Sequence, residues 1–187
     1  MKNSAIYIHG KGGSAAEAEH YAQFFDVTGF DYKSETPWDA AKEFPPFFDS
    51  HRAKILIANS IGAFLAMASL AQRNFDAAFF ISPVVDMEKI ILGMLARAGV
   101  TESELREKLE IGNLSWKYLR WVRENPISWK VPTHILYGEN DALTSLTTIE
   151  NFASKTGATL TVMAGGEHWF HTPEQMAFLD KWLEEFL

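Results

Sequence analysis

The chain contains no cysteine, and that single absence removes several chemistries at once. No disulfide framework, thiol nucleophile or cysteine-ligated metal site can be built, and the redox compartment is left open. Long apolar runs are also missing, since none approaches the roughly 18 uninterrupted residues of a membrane-spanning helix. Lysine and arginine number 17 against 24 aspartates and glutamates, giving a net charge of −7, and no basic cluster stands out. Such a chain is a poor nonspecific ligand for nucleic acid, so no nucleic-acid partner is expected. No repeat or low-complexity tract is visible, no G-K-[ST] marks a P-loop, and no H-E-x-x-H marks a zinc-binding helix. The opening residues, M-K-N-S-A-I-Y-I-H-G, carry one lysine and a brief apolar run before a glycine-rich loop. They do not read as a secretory signal, and the cytoplasm is the expected compartment.

What the chain does have is apolar residues, 47% of 187, enough to bury one sizeable core in a single domain, 1–187. They fall into short continuous runs: Ala5–His9, Phe30–Ser34, Ile55–Ala58, Ala77–Ser82, Thr133–Gly138 and Thr159–Met163. Continuous rather than alternating runs suit strands covered on both faces. Helical patterns lie between them, following Ser14, behind Ser60 to about Arg73, from Ser145 to about Lys155, and from Thr172 onward. Ser14 with Glu17, and Thr172 with Gln175, have the spacing of capping boxes. Thr36–Asp49, rich in Pro and Phe, reads as an irregular segment or short helix. Strand–helix alternation predicts an α/β fold, three layers α/β/α around a mostly parallel sheet of about six strands.

Regularity breaks at 84–131, where one crossover holds about three helical patterns: Met87–Ala98, Glu102–Glu110 and Leu114–Arg123. A connection this long is usually functional, so a helical cap is expected there. Met87, Met94, Trp116, Tyr118 and Trp121 are candidates for an apolar substrate wall, and Arg97, Arg120 or Arg123 for meeting an acidic group. The competing reading is that these aromatics fill the insertion's own small core.

The informative stretch is Lys54–Ser69, K-I-L-I-A-N-S-I-G-A-F-L-A-M-A-S. A strand that gives way at once to a helix must turn sharply, and Ser60 stands at the turn. Its hydroxyl would project clear of the sheet, in front of the free N–H groups and positive end of the helix. Ala58-Asn59-Ser60-Ile61-Gly62 is G-x-S-x-G with alanine at the first position. A helix-capping serine would look the same, so the motif gains weight only from partners. Those partners sit in the loops after the fifth and sixth strands, Asp141 and His168, and active sites of parallel sheets lie at the carboxyl ends of strands. A serine attacks at neutral pH only when an imidazole takes its proton, and that imidazole needs a carboxylate on its other nitrogen. Glu139 and Asp86 compete with Asp141 as the acid. His171 competes with His168 as the base, while His9 is better suited to bracing the glycine loop.

On I-Y-I-H-G, A-N-S-I-G, Y-G-E-N-D-A-L and G-G-E-H, in the chain order Ser…Asp…His, the sequence resembles the α/β-hydrolase superfamily over nearly its whole length. The resemblance implies backbone oxyanion donors at Lys11 and Ile61. It implies a serine hydrolase, an esterase acting on small or medium acyl substrates through Ser60, His168 and Asp141, with no cofactor and no metal. Thioesters and amides are alternatives within the class, cyanohydrin cleavage a remoter one, and a non-catalytic binding protein that keeps the fold is the rival from outside it. The chain departs from the pattern in lacking the leading antiparallel strands of larger members and in carrying Ala58. The partner expected is a small-molecule acyl substrate; the natural substrate and oligomeric state are not written in the sequence.

Overall fold

The computed structural model describes residues 2–112 and 114–187. They form two compact units, the first running to Val85 and resuming over Ser128–Leu187, the second spanning Asp86–Ile127.

The first unit is built on a six-stranded sheet in the order β2-β1-β3-β4-β7-β8. Its strands are β1 (Ser4–Ile8), β2 (Asp26–Phe30), β3 (Ile55–Asn59), β4 (Ala77–Ile81), β7 (Thr133–Gly138) and β8 (Thr159–Met163). Every neighbouring pair is parallel, with Ile6 opposite Leu56, Leu56 opposite Ala78, and Phe80 opposite Ile135. Because successive side chains point to opposite faces, Phe79 and Phe80 divide between two layers. Phe79 meets Phe25, Trp182 and Phe186, in a cluster that also takes Tyr7, Tyr21, Leu179 and Leu183. This face is covered by a 3-10 helix (Ala15–Gln23) and by α7 (Pro173–Glu184). Phe80 meets Trp129 on the opposite face, where Trp129 reaches Phe75 and Phe75 reaches Phe48. There α1 (Pro37–His51) packs against α2 (Ile61–Leu70), and α6 (Leu146–Thr156) lies by β8. The result is the three-layer α/β/α architecture expected.

Several elements differ from the sequence reading. The second strand is Asp26–Phe30, four residues earlier than expected. Residues beyond Phe30 leave the sheet because Lys33 and Ser34 give their N–H groups to the Glu43 carboxylate, each at 2.9 Å, instead of to a neighbouring strand. Thr36–Asp49 is no irregular segment; it lies almost wholly within the 15-residue helix α1. Thr36 caps that helix by accepting from Asp39 N, and Ala40, Phe44 and Phe48 put one buried stripe on the sheet. Pro45 and Pro46 sit in its interior, each costing a helix about 3 kcal/mol, and burial of the stripe offsets that cost. The helix after Ser14 is of the tighter 3-10 kind, and Gly29 of β2 runs so close beneath the Ala15 carbonyl that no Cβ would fit.

The second unit holds α3 (Met87–Ala98), α4 (Glu102–Lys108), β5 (Glu110–Ile111), β6 (Leu114–Ser115) and α5 (Trp116–Glu124). The β5–β6 hairpin was not expected; its strands pair antiparallel after α4 and before α5, which are accordingly shorter than the helical patterns suggested. Gly112, which follows β5, has a φ of +59°. Asp86 caps α3 by accepting from Lys89 N at 3.0 Å, and Arg123 of α5 bridges Glu88 and Glu102, each at 2.6 Å. Among the described residues, no helix is long and apolar enough to cross a membrane.

Candidate active site

The strand-to-helix turn after β3 puts Ser60 at φ 51°, ψ −121°, a backbone state that side chains other than glycine rarely adopt. Hydrogen bonds hold it there: Ser60 N–H donates to Ile81 O at 3.0 Å, and Ser60 O accepts from Val84 N–H at 3.0 Å. The close approach behind it explains the glycine two residues on. A Cβ on Gly62 would stand 2.5 Å from His9 O and 2.9 Å from Ile8 O. Ala58, at the position of the missing first glycine, is fully buried without difficulty.

Ser60 Oγ lies 2.8 Å from His168 Nε2, and His168 Nδ1 lies 2.7 Å from Asp141 Oδ2. An ionised carboxylate can only accept, so the imidazole proton sits on Nδ1 and Nε2 is free to accept from the serine hydroxyl. The Asp141 side chain is 0% exposed, and its second oxygen is also used, accepting from Leu143 N–H at 2.7 Å and Thr144 N–H at 3.0 Å. A buried carboxylate with every face satisfied is held in one orientation.

Two loops carry these groups and are stitched together. Gly138 packs on Gly166, where an added Cβ would come within 2.6 Å of Gly166 O. Asn140 N–H donates to Gly166 O at 2.7 Å, and Gly165 N–H donates to the Glu139 carboxylate at 2.9 Å. Tyr137, buried in β7, donates its hydroxyl to Thr144 O at 2.6 Å and so anchors the far end of the acid loop. These supports had not been read from the sequence. The glycines of Y-G and G-G-E-H were their visible trace.

The alternative candidates are engaged elsewhere. The Glu139 carboxylate accepts from Gly165, and Asp86 caps α3. His171 Nδ1 pairs with Trp169 O at 2.7 Å, its ring stacked 4.4 Å from that of Trp169. His9 stacks on Tyr32 at 4.4 Å and pairs through Nδ1 with Gly10 O at 2.8 Å.

Ile61 directly follows Ser60, and Lys11 directly follows Gly10 in the loop after β1. Ile61 is the first residue of α2, and the loop holding Lys11 begins at Gly10, whose Cβ would touch Ser60 Cβ at 3.2 Å. Gly13 N–H donates to Gly10 O at 3.1 Å, and Gly12 has φ +80°, which makes residues 10–13 a type II turn. The N–H of the second turn residue takes no part in such a turn, so Lys11 N–H is left to bind something else. Met87 and Met94 lie on α3 and Trp116, Tyr118 and Trp121 on α5, all in the second unit. Met87 is buried, and Arg106 stands over the Trp116 ring at 5.9 Å.

No protein-family model matches the chain, and no curated protein matches it significantly. Solved structures match throughout its length. Mouse alpha/beta hydrolase domain-containing protein 10 superposes with a TM-score of 0.74 at 16% identity, over 100% of this chain and 93% of the other. Est1E from Butyrivibrio proteoclasticus gives 0.75 at 16%, over 99% and 86%. A structure from work on the carboxylesterases of Nitrososphaera gargenis gives 0.63 at 14%, over 98% and 92%. With its parallel sheet, its serine at a strained strand-to-helix turn and these neighbours, the chain has the α/β-hydrolase fold.

Proposed function

We propose that this protein is a serine hydrolase that cleaves carboxylic esters of small or medium acyl substrates through an acyl-enzyme. The observation that carries the reading is the unbroken line Ser60 Oγ, His168 Nε2, His168 Nδ1, Asp141 Oδ2, with contacts of 2.8 and 2.7 Å.

In this mechanism His168 Nε2 takes the hydroxyl proton as Ser60 Oγ attacks the ester carbon. Asp141 stabilises the imidazolium and keeps its ring in place. The tetrahedral oxyanion is met by the N–H groups of Lys11 and Ile61; a donor of this kind is worth about 100- to 1000-fold in rate. As the intermediate collapses, His168 returns the proton to the departing alcohol. Water, activated by the same imidazole, then releases the acid and frees Ser60.

A fluorophosphonate probe tests the assignment directly. Wild type should label once per chain and Ser60→Ala not at all, and a panel of p-nitrophenyl esters of graded acyl length should show a preference for short or medium chains. Equal labelling of Ser60→Ala would refute the nucleophile. A folded wild type that neither labels nor hydrolyses would favour a ligand-binding role on the same fold.

A further inference from the structure

Tyr7 poses a question that the core does not answer. β1 is otherwise Ser, Ala and Ile, and Tyr7 is 1% exposed, so phenylalanine would fill the same space without burying a hydroxyl. The hydroxyl donates at 2.5 Å to Glu17 Oε2, and the Asn59 side chain, next to Ser60, also interacts with the phenol oxygen. Burial, then the neighbouring Tyr21 and the Glu17 charge, push the Tyr7 pKa far above its ordinary value, which keeps the phenol a donor.

Glu17 is engaged beyond the needs of a helix cap. Its Oε1 accepts from Ser14 N–H at 3.0 Å, and it fills the space beside Gly13 so closely that a Cβ there would lie 2.5 Å away. A capping box needs one carboxylate oxygen; here the second is spent on β1. The exit of the turn at residues 10–13 is therefore fixed to Glu17, and Glu17 to β1, the strand paired with the one that carries the nucleophile. The turn itself has glycine at three of its four positions, and glycine loses more conformational freedom on ordering than any other residue. Left unanchored, it would sample shapes that carry the Lys11 amide away from Ser60.

We propose that Tyr7 and Glu17 are positioning residues: hydroxyl and carboxylate together hold the Gly10–Ser14 turn in the shape that lets Lys11 N–H receive the tetrahedral oxyanion. This rests on the esterase reading above. Neither group touches substrate, and both act through the Lys11 backbone.

The test is steady-state hydrolysis of the best p-nitrophenyl ester, with inhibition by a trifluoromethyl ketone that becomes a tetrahedral adduct on an activated serine. Tyr7→Phe should lower kcat by about 5- to 20-fold, a fraction of what losing an oxyanion donor costs, with KM changed less than twofold. The ketone's Ki should rise by the same factor as kcat falls. Glu17→Ala should behave likewise, Glu17→Gln should recover part of the loss, and Tyr7→Phe combined with Glu17→Ala should be no worse than Glu17→Ala alone. Variants with wild-type kcat and Ki, or with a lower melting temperature as the sole change, would overturn the proposal and make the pair structural. If wild type itself has no esterase activity and binds no ketone, the esterase reading fails first and this proposal with it.

Discussion

At the scale of single residues, Asp141 sets the direction of the whole hydrogen-bond line. One oxygen accepts two backbone N–H groups and the other faces His168 Nδ1. In Asp141→Asn the amide oxygen must stay with Leu143 and Thr144, so the amide NH2 is turned toward the imidazole. The imidazole proton then moves to Nε2, where it blocks acceptance from Ser60. Turnover should fall about 10⁴-fold while the fold survives. Glu139→Gln should cost far less, because that side chain serves Gly165. Rates on one ester, with circular dichroism spectra, check both; a crippled Glu139→Gln beside an active Asp141→Asn would reverse the choice of acid. The three groups were legible in the sequence because each lies just beyond a strand of clear pattern. Tyr7 was not, since a tyrosine within an apolar run looks like any other core residue, and Glu17 was accounted for by its cap.

At the scale of elements, the sequence was most readable where local signals act alone. Thr172, Pro173 and Gln175 start α7, and the Gln175 side chain accepts from the N–H groups of His171 and Thr172. It failed where a distant partner decides. Two prolines argue against a long helix at α1, yet Phe44 and Phe48 reach apolar surface that no local rule reveals. Beyond Phe30 the chain turns from the sheet to Glu43, thirteen residues on, which accepts from the amides of Lys33 and Ser34. Helix α7 contributes Trp182, which is 2% exposed and edge-on to Phe79 at 5.7 Å. Trp182→Ala should cost about 3–5 kcal/mol, read as a shift in urea midpoint, and Trp182→Phe should recover much of it. A loss below about 1 kcal/mol would mean that α7 is not a principal cover of this face.

At the scale of the whole molecule, stability should weaken in acid for an identifiable reason. His134 in β7 lies against Phe186 at 3.8 Å and Phe79 at 5.2 Å, and burial lowers its pKa. The unfolded chain therefore binds a proton at higher pH than the native one does. The native state keeps its full advantage above the unfolded value, about 6.5. It loses stability as pH falls through that value toward the lower native one. His134→Phe removes this proton while keeping the aromatic contacts, so it should lose less stability than wild type between pH 7.5 and 5. Urea midpoints at both pH values measure this, and parallel losses would assign the acid sensitivity to other groups.

The division of the proposed chemistry along the chain has a consequence during synthesis. Ser60, Lys11 and Ile61 precede the second unit, whereas Asp141 and His168 follow it. Within the sheet the two parts join along the ladder from Ala78 opposite Thr133 to Ile81 opposite Leu136. A nascent chain emerging from its N-terminus thus carries a serine with no base until residue 168 has been translated. On the mechanism proposed above, a ribosome-bound intermediate would leave intact the activated esters around it, among them the aminoacyl linkages feeding its own elongation. Competence arrives late, once β7 has closed against β4 and β8, with His168 just beyond it, has closed against β7.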